Sequence, residues 1–212
     1  MTSEFIHRFE PAKGVGTPLL LLHGTGGDEN DLLQLGEVIS PGSALLSPRG
    51  KVLERGMPRF FRRLAQGVFD EADVKRRANE LADFVETARA RYELDAPVAL
   101  GYSNGANIAA AMMFLRPQVL AGAVLLRAMV PLAHAPKADL AHRPVLISSG
   151  SRDPIIPASN STELAALLAS AGANVQHSIT PAGHQLAQAD VALAKQWMTA
   201  SDFSPPAAAL SG

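Results

Sequence analysis

Cysteine is absent from the 212-residue chain, and this absence excludes several kinds of chemistry. Without a thiol, the protein cannot form disulfides, bind a metal through thiolates or use a cysteine nucleophile. Long apolar runs are also missing, because none approaches the roughly 20 residues that a membrane-spanning helix needs. We therefore expect no insertion into a membrane.

The chain also lacks an excess of charge of either sign. Lys and Arg number 19 against 20 for Asp and Glu, which gives a formal net charge of -1. A protein that follows a phosphate backbone needs a basic surplus, so nucleic acid is not an expected partner. Charged residues at Glu4, Arg8 and Glu10 interrupt the first eleven residues, which therefore do not resemble a signal peptide, and we expect a cytoplasmic protein.

The composition that remains is typical of a globular domain, with 47% hydrophobic residues. A chain of this length has one sizeable core, and we predict a single domain over residues 1–200, followed by a flexible tail at 201–212 that is rich in proline and small residues. Apolar runs at 18–22, 97–100, 122–130 and 145–148 alternate with segments of helical periodicity. This alternation predicts an α/β fold with a mainly parallel sheet.

Residues 101–105 read Gly-Tyr-Ser-Asn-Gly, directly after an apolar run and directly before a segment of small residues. This spacing is typical of a serine held on a sharp strand-to-helix turn, where neighbours with almost no side chain prevent a clash. Ser103 would then lie at a helix N-terminus, which favours developing negative charge. The alternative is an ordinary turn in which the serine only caps the helix.

A second glycine-rich turn, His-Gly-Thr-Gly-Gly at 23–27, follows the apolar run 18–22. It has neither the Lys-Ser/Thr of a phosphate loop nor the glycine order of a dinucleotide fold. The turn instead fits half of an oxyanion hole, in which the backbone N–H of Thr25 joins that of Asn104. His23, Gly24 and Gly26 would support this loop, and the alternative is a tight turn without a ligand.

A serine nucleophile needs a base and a carboxylate that orients the base. Asp153 and His184 each follow a predicted strand, and the order Ser103, Asp153, His184 is that of α/β-hydrolases. The rival carboxylates are weaker candidates, because Asp139 lies on a loop and Asp190 inside a predicted helix. The remaining histidines are expected to be surface groups, and no spacing favours a metal site; they are His7, His134, His142 and His177.

A long basic segment, 49–66, is predicted to be an irregular loop, and loops of this length are often functional. It contains Met57, Phe60 and Phe61. With Met129, these residues are candidates for a substrate pocket. The alternative for the residues of the loop is a satellite hydrophobic cluster.

The motifs together resemble the α/β-hydrolase superfamily, and within it the small carboxylesterase/phospholipase group without a cap domain that also includes acyl-protein thioesterases. The stretches that support the resemblance are 21–27, Ser-Pro-Arg-Gly at 47–50, Arg-Phe-Phe-Arg at 59–62, 101–106, Gly-Ser-Arg-Asp-Pro-Ile-Ile-Pro at 150–157 and Gly-His at 183–184. The Arg-Gly and Arg-Phe-Phe stretches look most like bacterial esterases grouped with hydroquinone-resistance hydrolases.

The resemblance implies an α/β-hydrolase fold with helices on both faces of the sheet, and a serine esterase that needs no cofactor. Ser103 would be the nucleophile, His184 the general base and acid, and Asp153 the residue that orients it. A small-molecule ester is the expected partner, and a homodimer remains open. The alternatives are an acyl thioesterase or lysophospholipase with the same residues, and a non-catalytic binding protein. Tyr102, Asn104 and Thr25 depart from the usual acyl-protein thioesterase motifs, which disfavours a protein-thioester substrate.

Overall fold

A seven-stranded sheet forms the centre of the protein. The structure is a computed structural model that describes residues 4–203. The strands are β1 (His7–Glu10), β2 (Leu19–Leu22), β3 (Leu45–Pro48), β4 (Val52–Glu54), β5 (Met57–Arg59), β6 (Arg63–Ala65), β7 (Val68–Phe69), β8 (Val98–Tyr102), β9 (Gly122–Leu126), β10 (Pro144–Gly150) and β11 (Asn174–Thr180). The large sheet has the order β1-β3-β2-β8-β9-β10-β11. Within this sheet, over residues 4–203, only β1 pairs antiparallel, which confirms the predicted mainly parallel sheet.

Helices cover both faces of this sheet, as expected. They are α1 (Leu33–Ile39), α2 (Glu71–Tyr92), α3 (Asn104–Leu115), α4 (Ala158–Ser170) and α5 (Gln188–Ala200). The four leucines of β2 are fully buried and alternate between two cores. Leu20 and Leu22 pack in the core with α2, α3 and α4, whereas Leu19 and Leu21 pack in the core with α1 and α5. An uninterrupted apolar run is thus explained by burial on both faces.

The segment predicted as an irregular loop is more regular than expected. Strands β4 and β5 form one hairpin, and β6 and β7 form another. The turn of the first hairpin has positive φ at both Arg55 (52°) and Gly56 (82°), as a type I′ turn requires. Strands of two or three residues with mixed burial give too short a pattern to be read from sequence.

The parallel strands bring separate loops to one edge of the sheet. Strand β8 lies between β2 and β9, so the turn after β8 is next to the loop after β2 and to the chain leaving β9. Ligands of such sheets bind at the carboxyl ends of the strands. Within residues 4–203, no cap domain is inserted over this edge.

The C-terminal tail predicted at 201–212 lies mostly outside the described residues, which end at Phe203. The ring of Phe203 packs against that of Trp197, with the centroids 5.4 Å apart. No helix within residues 4–203 has both the length and the apolar character needed to cross a bilayer.

Candidate active site

Ser103 occupies a strained turn between β8 and α3. Its φ of 51° lies in the left-handed region, which residues with a side chain rarely adopt. A Cβ on Gly101 would lie 2.6 Å from the carbonyl oxygen of Gly105, and a Cβ on Gly105 would overlap the carbonyl of Leu22. Both flanking glycines are therefore required by close backbone approach, and the turn exposes the hydroxyl of Ser103 at the edge of the sheet.

The structure brings Ser103, His184 and Asp153 into one chain of hydrogen bonds. His184 Nε2 lies 2.9 Å from Ser103 Oγ, and His184 Nδ1 lies 2.8 Å from Asp153 Oδ2. The other carboxylate oxygen of Asp153 accepts hydrogen bonds from the backbone N–H groups of Ile155 and Ile156, at 2.8 and 3.1 Å. The Asp153 side chain is 1% exposed and that of His184 17%. The imidazole is thus held between a buried carboxylate and an accessible hydroxyl.

Asn104, the residue after Ser103, and Thr25, in the loop after β2, are both held by residues 58–60. Asn104 begins α3, so its backbone N–H has no acceptor within the helix. Its side-chain Oδ1 accepts a hydrogen bond from the Phe60 N–H at 2.8 Å. Thr25 Oγ1 accepts one from Arg59 Nη1 at 3.0 Å, and the next residue, Gly26, donates its N–H to Pro58 O at 2.9 Å. Residues 58–60 therefore connect the two elements predicted to form the oxyanion hole.

His23 supports the glycine-rich loop from within. Its Nε2 accepts the Gly50 N–H at 3.0 Å, so the ring proton is on Nδ1, which donates to Gly24 O at 2.6 Å. Burial lowers the pKa of His23, which keeps the ring neutral as this arrangement requires. Gly24 and Gly26 are needed for different reasons. A Cβ on Gly24 would lie 2.9 Å from the Tyr102 ring, and Gly26 has a φ of +88°.

The four pocket candidates divide into two groups. Phe60 and Phe61 are 3% and 0% exposed and belong to the main hydrophobic core, where Phe60 packs on His23 and Phe61 on Phe69. With no accessible surface, Phe61 cannot contact a substrate in this conformation, which corrects its assignment to the pocket wall. Met57 is 41% exposed above Gly26, and Met129 is partly exposed. The methionines therefore remain as candidates.

The loop that bears His184 is held by side chains that are absent from the residues predicted from sequence. The Tyr102 hydroxyl donates to His184 O at 3.1 Å. Arg127, directly after β9, donates to Gly183 O and Gln185 O and forms a fully buried ion pair with Asp190. Asp190, rejected as the acid of the site, thus pairs with arginine. A lone cation at the carboxyl end of an apolar strand is the signal that could have identified Arg127.

Comparison with known proteins gives one consistent result. Residues 9–201 match the family described as phospholipase/carboxylesterase. A Bacillus subtilis (strain 168) protein named as a hydrolase, MhqD, is 47% identical over 181 residues, which cover 84% of this chain and 90% of that protein.

Two solved carboxylesterases are similar in both sequence and structure. The Bacillus cereus enzyme has a TM-score of 0.90 and 47% identity, covering 93% of this chain and 95% of its own. The enzyme from Mesorhizobium loti has a TM-score of 0.89 and 34% identity, covering 94% and 97%. The family match over residues 9–201 includes Ser103, Asp153 and His184.

Proposed function

Because the chain belongs to the phospholipase/carboxylesterase family and is an enzyme of the serine hydrolase type, we propose that it hydrolyses carboxylic esters of short to medium acyl chain through an acyl-enzyme. Ser103 is the nucleophile, His184 the general base and acid, and Asp153 the residue that orients the imidazole. The observation that supports this proposal is the hydrogen-bonded series from Asp153 through His184 to Ser103.

In the acylation step, His184 Nε2 removes the proton of Ser103 while Oγ attacks the ester carbonyl carbon. The imidazolium that forms is stabilised by the Asp153 carboxylate at Nδ1. It then donates its proton to the alkoxide, which leaves as the alcohol. Water, activated by the same imidazole, attacks the acyl-enzyme and releases the carboxylic acid, which restores the Ser103 hydroxyl.

The negative oxygen of each tetrahedral intermediate is bound by the backbone N–H groups of Thr25 and Asn104. Such preorganised donors act only on charge that develops in the transition state, and one of them is typically worth about 10²–10³ in rate. The hydrogen bonds from Arg59 and Phe60 to these two residues fix the donors in advance. No solvent needs to reorganise when the charge appears.

The preference for short to medium acyl chains rests on the absence of a cap domain within residues 4–203 and on two partly exposed methionines, of which Met57 lies against Gly26 of the glycine-rich loop. An edge without a cap gives an open, shallow pocket. Met57 and Met129 are unbranched and polarizable, so they adapt to acyl groups of different shapes.

Covalent labelling tests the assignment directly. We expect a fluorophosphonate to add one phosphonyl group to Ser103, and we expect Ser103→Ala to lose labelling and essentially all hydrolysis of p-nitrophenyl butyrate. Ser170→Ala, a change on an exposed serine of α4, is the matched control and should behave as wild type. Full turnover by a folded Ser103→Ala variant would contradict the proposal. Hydrolysis rates measured on matched series of esters, thioesters and lysophospholipids distinguish an esterase from the two enzymatic alternatives, an acyl thioesterase and a lysophospholipase. We expect the esters of short to medium acyl chain to be hydrolysed fastest.

A further inference from the structure

Arg127 is a fully buried cation close to the proposed active site. It follows β9 directly, has a φ of 57°, and donates its backbone N–H to Ser148 O at 2.9 Å. Its side chain has no accessible surface and is the largest among the fully buried ones. Taking a guanidinium out of water is costly unless it is paired and hydrogen-bonded. Its partners therefore indicate what the residue does.

All five N–H donors of the guanidinium have an acceptor. Nε donates to Gly183 O at 2.8 Å. Nη1 donates to Asp190 Oδ1 at 2.9 Å and to Ser148 O at 3.2 Å. Nη2 donates to Asp190 Oδ2 at 2.7 Å and to Gln185 O at 3.3 Å. Since an arginine has five such donors, none remains for a substrate, and a ligand-binding role is disfavoured.

Asp190 holds the guanidinium in a fixed orientation. Both oxygens of the carboxylate accept hydrogen bonds from the planar guanidinium, and this bidentate pairing fixes the orientation of the two groups. It also accepts hydrogen bonds from Ser148 Oγ at 2.6 Å and from the Ala187 N–H at 2.7 Å. Burial by itself would raise the pKa of Asp190, but the hydrogen bonds from Arg127, Ser148 and Ala187 lower it below the ordinary value. The carboxylate thus stays ionised and fixes Arg127 from the side of α5.

On its other side, Arg127 holds the two residues that flank His184. The segment between β11 and α5 has no regular secondary structure, so no strand or helix orients the imidazole. Instead, the carbonyls of Gly183 and Gln185 bind Arg127, and the carbonyl of His184 itself accepts from Tyr102. Three consecutive carbonyls therefore bind side chains, which defines where this short loop lies.

We propose that Arg127, fixed by Asp190, is the positioning residue for His184 and keeps its imidazole in line with Ser103 and Asp153. This inference rests on the proposed function, in which His184 is the general base and acid. Displacing a catalytic group by about 1 Å can cost on the order of 10² in rate. Arg127 thus affects turnover without touching the substrate.

The decisive variant is Arg127→Met/Asp190→Leu, which replaces the buried pair by apolar side chains of similar size. Each single change leaves a buried group without its partner, and this is destabilising, whereas the double change removes both charges. We expect the double variant to melt closer to the wild type than either single variant does. We also expect its kcat to fall by about 10- to 100-fold at nearly constant KM, because Gly183 and Gln185 have lost their donor.

A spectroscopic readout separates positioning from stability. The Nδ1 proton between His184 and Asp153 gives a far-downfield proton resonance in NMR, and we expect it to broaden or shift in the folded double variant. Arg116→Met is the matched control, because Arg116 pairs with Asp83 and Glu86 at the surface. It should keep the resonance and kcat of wild type. Arg127→Lys retains the buried charge and provides a second test if the double variant does not fold, with kcat again lowered about 10-fold or more.

The outcomes distinguish this proposal from the function on which it rests. Wild-type kcat and an unchanged resonance in a folded double variant or in Arg127→Lys would overturn the positioning role, while a parallel His184→Ala variant would still be inactive. Full turnover by His184→Ala would instead overturn the proposed function, and the positioning role with it.

Discussion

His184 Nε2 and Ser103 Oγ lie 2.9 Å apart although 81 positions separate them in the chain. The contact exists because β8 and β11 run in the same direction within one sheet, so that the loops after both strands leave at one edge. The hydroxyl is fixed by a strained turn, whereas the imidazole is fixed by hydrogen bonds to its loop. The two residues are therefore sensitive to different kinds of substitution.

Asp153→Asn tests the orienting role of the carboxylate. The amide oxygen can still accept the N–H groups of Ile155 and Ile156, which places the NH₂ group toward His184 Nδ1. This disfavours the tautomer in which Nε2 accepts the Ser103 proton, so we expect kcat for p-nitrophenyl butyrate to fall by about 10³–10⁴. Asp139→Asn is the control on an exposed carboxylate and should retain wild-type kcat. A loss below 10-fold in folded Asp153→Asn would contradict the assignment.

Thr25 is expected to act through its backbone rather than its hydroxyl. Thr25→Pro removes the N–H and should lower kcat by about 10²–10³. Thr25→Ser keeps the acceptor for Arg59 and should be close to wild type, while Thr25→Ala should lose only a few-fold in rate because the loop is less firmly held. Steady-state rates with melting temperatures provide the comparison. Equal, small effects of the proline and alanine changes would exclude Thr25 from the oxyanion hole.

Asn104→Asp introduces a charge at the site with little other change. The new side chain can still accept the Phe60 N–H, and Asn104 Nδ2 has no hydrogen-bond partner among residues 4–203 that the change would remove. A carboxylate beside the developing oxyanion opposes it, so we expect kcat relative to wild type to fall as pH rises through the pKa of the introduced group. Asn104→Ala adds no charge and should show no such pH dependence. Parallel pH–rate profiles of the two variants measure this difference, and the same profile in both would contradict a role for Asn104 beside the oxyanion.

His23 should make the fold less stable in mild acid. Burial lowers its pKa, so the unfolded chain binds a proton more readily than the folded protein. The contribution of His23 to the free energy of unfolding is therefore constant above its ordinary pKa of about 6.5. This contribution declines as pH falls from there toward the folded-state pKa. A protonated Nε2 also cannot accept the hydrogen bond from the Gly50 N–H, so this contact is lost in acid.

Melting temperatures at pH 7.5 and 5 would measure this effect. We expect His23→Gln to show a smaller difference between the two pH values than wild type does. Burial also lowers the pKa of His177, so His177→Gln is the parallel variant that measures the second contribution in the same window. An identical pH dependence in wild type and His23→Gln would contradict this prediction, because it would show that the pKa of His23 is the same in the folded and unfolded states.

Much of the fold could be predicted because its signals are local. The apolar run 18–22 and the alternation of strands and helices predict the parallel sheet, and the glycines around Ser103 predict the sharp turn. The hairpins β4–β5 and β6–β7 are not predicted from the sequence, because strands of two or three residues have no readable periodicity. The sequence alone does not distinguish a buried aromatic ring, such as that of Phe61, from one that lines a cleft.

The sequence by itself determined the class of fold and the strained serine turn, since the strands, helices and turn depend on neighbours within a few positions. It also determined the chemical types and the order of Ser103, Asp153 and His184. Only the tertiary structure decided what holds these groups in place. Arg127 and Asp190 are 63 positions apart, and Phe60 and Asn104 are 44 apart. Such pairs form when strands and helices pack, and a charged residue in a helix has the same local pattern whether it faces water or a buried guanidinium.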